Sequence, residues 1–256
     1  MKTHTRRAFL YTLITFVILV ITYIALSHFF KAKKEKSVAE YIQDLRGGDA
    51  HLRYDAVEAL GELGNPIAVS SLLIALHDKE EYIKSASAQA LGKIGGEQAV
   101  MPLIAMLESK ERDPKAIAAW ALGEIKDERS VEPLITVLVN INEYIGARIN
   151  AAKALGKIGD KRAVKPLIEN LGNENPFLRR YAADSLGKIG DPKAIEPLVE
   201  LLRDDDKYVR MYTALVLGRF KDKRVKEELQ SLLEDKDLSV RDVAKEALNI
   251  LDKNEK

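Results

Sequence analysis

The sequence predicts an all-α solenoid of stacked two-helix units, about 31 residues each, preceded by one transmembrane helix. Three observations carry this. One leucine recurs at Leu60, Leu91, Leu122, Leu155, Leu186, Leu217 and Leu248, spaced by 31 residues except for 33 between Leu122 and Leu155. A fixed period of that length marks a stacked-repeat protein. Each period holds two apolar stripes at helical spacing, and residues 8–30 form a run of 23 without Asp, Glu, Lys or Arg.

In chain order, residues 1–7 are a short basic tail. Residues 8–30 follow, longer at 1.5 Å per residue than the roughly 30 Å of bilayer hydrocarbon, and so predict a transmembrane helix. The competing reading is a cleaved signal peptide, with Ala25-Leu26-Ser27 as a passable site, but the run exceeds the usual ~7–15-residue apolar core. Residues 5–10, TRRAFL, resemble a twin-arginine export motif; arginines before an anchor are more commonly flanking charge. Lys2, Arg6 and Arg7 precede the run, and Lys31, Lys33, Lys34 and Lys36 follow it in a basic juxtamembrane linker, residues 31–36. Orientation is close to balanced, with a slight lean towards an extracytoplasmic solenoid.

Residues 37–252 are the array: a lone helix at 38–45, six full pairs and a closing helix at 240–251, before a polar tail at 253–256. Ala182, Ala183, Leu186 and Ile189 make the buried stripe of one first helix. Gly187 and Gly190 read as punctuation of its end, Asp191 as a cap, and Pro197 as lying near the start of the second helix. Leu198, Val199, Leu201 and Leu202 are the second stripe. Two short helices cannot bury both stripes alone, so units must stack. The two-residue insertion, in or near 140–146, predicts an enlarged loop. Asp204-Asp205-Asp206 reads as helix capping rather than a calcium site.

The segments VRMYTALVLGRF, LRRYAADSLGKIGDPKAIEPLVELL and ARINAAKALGKIGDKRAVKPLIENL resemble HEAT-like repeats of the phycobilin-lyase type, the repeat also used for artificial binders. SVAEYIQDL, residues 37–45, resembles that family's N-terminal capping helix. The resemblance covers roughly residues 37–252 and implies the fold. For function it implies little, because the array serves enzymes, scaffolds and binders alike.

Chemistry is sparse. There is no cysteine, and the four histidines are His4, His28, His51 and His77, none preceding a glutamate. The deoxyhypusine hydroxylases, which resemble this array, hold a di-iron centre with paired His-Glu steps, so that activity is disfavoured. A lyase-like or enzyme-accessory role stays as an alternative. No nucleophile elbow, phosphate-cradling loop or metal spacing is present, so neither cofactor nor metal is expected. Residues 37–256 carry 33 basic and 38 acidic side chains, net −5, which opposes single-stranded nucleic-acid binding, the second alternative.

Comparison of repeats within the chain is more informative. Seven residues before each leucine stand Arg53, Lys84, Lys115, Arg148, Arg179, Arg210 and Arg241. That offset adjoins the buried stripe, where a charge needs an acceptor. Asp127, Asp160, Asp191 and Asp222, five after the leucine, are the expected partners in an inter-unit structural ladder. Other offsets vary in residue type and share one face of the first helix, which the resemblance implies is concave. They hold Tyr54, Tyr82, Ile117, Trp120, Ile149, Phe177, Tyr181, Tyr208, Met211, Tyr212 and Leu215, with Ile145 beside them. Tyr, Trp and Met anchor protein interfaces. The chain therefore reads as a membrane-anchored, non-enzymatic scaffold binding a protein or peptide there, with the bilayer as a second partner through residues 8–30.

Overall fold

The structure, a computed structural model, describes residues 36–252. They form fourteen α-helices and, among the described residues, no strand. The chain divides into two compact units at residues 40 and 41. In the first, Ser37 and Glu40 close a capping box at the start of α1 (Val38–Asp44). The second unit is the array.

Its long helices are α2 (Ala50–Leu63), α4 (Glu81–Ile94), α6 (Arg112–Ile125), α8 (Ile145–Ile158), α10 (Pro176–Ile189), α12 (Lys207–Phe220) and α14 (Leu238–Asp252). The short ones between them are α3 (Val69–Ala75), α5 (Val100–Met106), α7 (Val131–Val139), α9 (Val164–Glu169), α11 (Ile195–Glu200) and α13 (Lys226–Ser231). Each short helix follows a 3-10 turn, four of which are capped by Asp127, Asp160, Asp191 and Asp222 accepting from the backbone N–H two residues on. Leu60, Leu91, Leu122, Leu155, Leu186 and Leu217 are fully buried, as are Leu72, Leu103, Leu134, Leu167, Leu198 and Leu229 of the short helices. Leu248, in the last helix, is only half-buried.

Each long helix packs on the next, and the glycine after the repeat leucine is the point of contact. A Cβ on Gly61, Gly92 or Gly123 would lie 2.9, 2.8 or 2.7 Å from an atom of Ala90, Ala121 or Ala154 in the following long helix. Gly156, Gly187 and Gly218 meet Ser185, Val216 and Ala247 in the same way, at 2.5, 2.7 and 2.9 Å. These glycines therefore lie inside helices rather than at their ends, which corrects the reading of Gly187 as punctuation. The helix ends are made by a second set, Gly64, Gly159 and Gly190, in the left-handed conformation. Lys126 and Lys221 take the same place at φ 61° and 58°, where a side chain costs about 1 kcal/mol relative to glycine.

The insertion does not enlarge a loop. It lengthens α7 to nine residues where α3 and α5 have seven, and residues 140–144 connect it to α8 with the same five-residue span as 76–80 and 107–111. Of the two added residues Leu138 is buried, as Leu76 and Leu107 are where the shorter helices end, and Val139 is exposed.

The membrane location is corrected here. No helix among the described residues is long and apolar enough to cross a membrane. Residues 8–30, on which that expectation rests, lie outside the described residues.

The close approach predicts that Gly123→Ala destabilises the protein by about 1–3 kcal/mol, the usual cost of overpacking, despite alanine's better helix propensity. Lys126→Gly should stabilise it by up to about 1 kcal/mol. Urea unfolding of both variants tests this; a Gly123→Ala variant as stable as the parent would refute the close-approach account.

Candidate functional site

Six of the seven basic residues, all but Arg241, do link successive units, but not through the expected aspartates. Arg53, Arg179 and Arg210 each make a two-pronged pair with an aspartate 25 residues on: Asp78 at 2.7 and 3.0 Å, Asp204 at 2.7 and 2.7 Å, Asp235 at 2.8 and 2.9 Å. Each also donates to carbonyls in the loop before its own helix, as Arg210 does to Asp204 and Asp205 at 2.7 and 3.1 Å. Lys84 pairs with Glu111 and Lys115 with Glu143, at 2.9 and 2.6 Å. Arg241 donates to the carbonyl of Asp235 at 2.6 Å.

Asp127, Asp160 and Asp222 are instead occupied by capping and by Arg129, Arg162 and Arg224, two residues further along; Asp191 caps its turn. The physical reason is position. The 3-10 turn uses each aspartate's oxygens locally, whereas the loop after the short helix brings Asp78, Asp204 and Asp235 up to the arginine. Asp204 and Asp206 of the acidic triplet serve Arg179 and the cap of α12.

Arg148 also has no carboxylate partner. It is buried, and its acceptors are the Leu138 carbonyl and Asn170 Oδ1, both at 2.9 Å and neither charged. Burial pushes its guanidinium below the usual arginine range, whereas the bonds they donate to Asp78 and Asp204 raise Arg53 and Arg179.

None of the eleven expected contact residues is buried. Tyr82, Phe177, Tyr208 and Tyr212 are exposed; Tyr54, Ile117, Trp120, Ile149, Tyr181, Met211 and Leu215 are half-buried. Trp120 lies across Gly92, its ring edge 3.0 Å from where a Cβ there would stand. The residues fall into two groups. Tyr54 and Tyr82, ring centroids 5.6 Å apart and tilted by 58°, open a groove of about 730 Å³ that Ile117 and Ile149 also line, together with Glu58, Glu81, Asp113 and Tyr144.

In the second group Arg180 lies over three rings, 5.4 Å from Phe177, 4.5 Å from Tyr181 and 4.9 Å from Tyr212. Lys153 is 5.0 Å from the ring of Tyr181, and Lys207 is 5.4 Å from that of Tyr208. Such contacts contribute about 0.5–1 kcal/mol each where exposed, and they hold the rings while leaving part of them open.

Sequence reasoning missed Lys153, Arg180, Glu58, Glu81, Asp113 and Tyr144 as members of this face. The charged ones occupy the variable offsets and would have been found by reading those offsets for charge as well as aromaticity. Tyr144 stands eleven before Leu155, in the loop before α8, at an offset not read for aromatics; its ring passes within 2.6 Å of where a Cβ on Gly146 would stand. A separate cavity of about 360 Å³ beside His77 is lined by Asp78, Lys84 and Glu111, whose charges belong to the ladder. Among the described residues no group of His, Cys, Asp and Glu is placed to hold a metal ion.

The fold and this face define an α-solenoid repeat protein. Overlapping matches over residues 38–122, 71–145, 100–176, 142–213 and 195–256 place the chain in the family of HEAT repeats, to which it belongs. Among solved structures it is similar to the complex of CpcE and CpcF of phycocyanin lyase from Nostoc sp. PCC7120, at 25% identity and a TM-score of 0.59, covering 86% of this chain and 95% of that one. It is also similar to YibA of Escherichia coli, at 19% identity and a TM-score of 0.57, over 88% and 96%. An engineered protein matches at 21% identity and a TM-score of 0.53, over 84% and 68%. No curated protein matches its sequence.

Two outcomes are expected of the ladder. Asp235→Asn should cost about 2–3 kcal/mol, the upper range for hydrogen bonds to a charged group, because Arg210 stays buried with only carbonyl acceptors; chemical denaturation measures it, and a cost below that of an exposed Asp→Asn control would refute the rung's role. Acid stability follows from the lowered carboxylates. Bonds from Arg129 hold Asp127 at about 2, Ser239 and Lys207 hold Asp237 at about 2, and Arg53 lowers Asp78. A depressed folded value means that this stability is complete above the unfolded value, about pH 4, and is lost as pH falls towards the folded one. Melting temperature should therefore change little between about pH 7 and 5 and fall steeply between about pH 4 and 2.

Proposed function

We propose that the chain is a non-enzymatic scaffold or adaptor that holds a protein or peptide segment on its long-helix face. One observation carries this reading: the repeat positions that vary in residue type are those left partly exposed, and they carry rings and isoleucines rather than ordinary solvated polar groups. Contiguous exposed apolar surface marks binding sites, and Tyr, Trp and Arg supply most interface hot spots. Rings braced by Arg180 and Lys153 lose less side-chain freedom when a partner arrives, which favours affinity.

An accessory role to an enzyme is the second reading. It is favoured by the likeness to the phycocyanin lyase complex, which extends over 95% of that chain. A partner that is itself an enzyme, with turnover changed by this chain, would support it.

The full chain and a Trp120→Ala, Tyr181→Ala, Tyr212→Ala variant, used side by side as bait after cross-linking, test the face. A partner retained by the parent and lost by the variant is expected, together with a small drop in melting temperature, most of it from Trp120 over Gly92. Partners retained equally by both baits would refute the proposal.

A further inference from the structure

The two groups of side chains on the long-helix face differ in charge, the first acidic apart from Arg112 over Tyr144 and the second basic apart from Asp206, which lines a pocket with Arg180 and caps α12. In the groove crossing α2, α4, α6 and α8, Glu58, Glu81 and Asp113 make no ion pair or hydrogen bond among the described residues, and no cation lines the groove. This contrasts with Asp78, Glu111, Glu143, Asp204 and Asp235, which the ladder neutralises. The same groove offers the rings of Tyr54 and Tyr82, and aromatic faces attract cations. Tyr144 already illustrates that chemistry, with Arg112 5.5 Å from its ring centroid. Ser85, only 8% exposed, also lines the groove and has a hydroxyl without a hydrogen-bond partner.

At α8, α10 and α12 the signs reverse. Arg180 and Lys153 are held by rings, and neither makes an ion pair among the described residues. Arg180 Nε is buried and has no acceptor. A guanidinium stacked on aromatic faces keeps its N–H edge for a carboxylate, which it binds in two-pronged fashion.

We propose that the face reads a segment of opposed charge: a lysine or arginine side chain enters the groove between Tyr54 and Tyr82 against Glu58, Glu81 and Asp113, and an aspartate or glutamate meets Arg180 and Lys153. This rests on the scaffold reading of the same face and adds the partner's chemistry and direction. An extended segment bound the other way would set its carboxylate among three carboxylates and its cation beside two cations. Unpaired like charges of this kind weaken a complex and give specificity rather than raw affinity. The basic end of the segment therefore lies over α2 and α4, and its acidic end over α10 and α12.

The test uses a phage-displayed random peptide library selected on the full chain, followed by fluorescence anisotropy with the enriched peptides made synthetically. Enriched peptides should carry a basic and an acidic residue in one fixed order. A Glu58→Gln, Glu81→Gln, Asp113→Asn variant should bind them about tenfold or more weakly, the loss of one charged contact, and should no longer select for lysine or arginine. Arg180→Gln should reduce affinity only for peptides that keep their acidic residue. Arg180→Lys, which preserves the charge, guards against a fold defect, and an unchanged melting curve does the same for the carboxylate variant. Enriched peptides without that charge order, or affinities unaffected by the carboxylate variant, would overturn the inference while leaving the face intact as a binding site. Peptides that bind a Tyr54→Ala, Tyr181→Ala, Tyr212→Ala variant as well as the parent would overturn the scaffold reading itself.

Discussion

The close approach between long helices at Gly61, Gly92, Gly123, Gly156, Gly187 and Gly218 is the constraint on which the rest of the array depends. Glycine inside a helix costs about 1 kcal/mol relative to alanine, so six of them in otherwise good helix formers are a substantial local penalty. The offset comes from packing. Without a Cβ at that position, the small residue one before the next repeat leucine can sit against the helix backbone, and the leucines become fully buried. Dispersion contacts are individually small and fall off steeply with a sub-ångström gap, so the distance between helices governs how well every leucine layer packs.

The same contact fixes the register of the ion pairs. Once two long helices are set by glycine against alanine, the loop after each short helix arrives beside the arginine of the unit before, and an aspartate 25 residues on lies within reach. For Arg148 the residue 25 on is Asn173, not an aspartate. The rung is completed by the Leu138 carbonyl and Asn170 instead. Buried pairs of this kind add modest net stability but make a misregistered stack expensive, because an arginine displaced from its acceptors would be a buried, uncompensated charge.

What remains for the face is the side of each long helix that neither the glycine seam nor the ladder uses. Its rings are not simply exposed: Arg180, Lys153, Lys207 and Arg112 lie against them, and Trp120 leans on Gly92. A surface that is preorganised and chemically uneven suits the recognition of an extended segment better than a uniformly apolar strip would. Its unpaired charges differ along the array, Glu58, Glu81 and Asp113 on α2 to α6 with Arg112 beside them, and Lys153 and Arg180 on α8 and α10, although the net charge of the repeat region is small.

The sequence by itself determined the repeat, the two helices per unit, the buried leucines, and the offsets that face outward, because all of these follow from periodicity along one chain. It also contained a sign of the glycine seam that was easy to overlook: the leucine followed by no glycine is Leu248, which precedes Asn249 in α14, where no later helix among the described residues packs. Only the tertiary structure decided which acid meets which base, since Asp191 and Asp204 are equally plausible acceptors by spacing and are separated only by the path of the chain between helices. It alone decided that the insertion extends α7, because the sequence places the two extra residues no more closely than 140–146. The pairing of Arg180 with Phe177, Tyr181 and Tyr212 likewise joins two helices whose residues are some thirty positions apart, and such contacts arise from stacking, which local sequence does not encode.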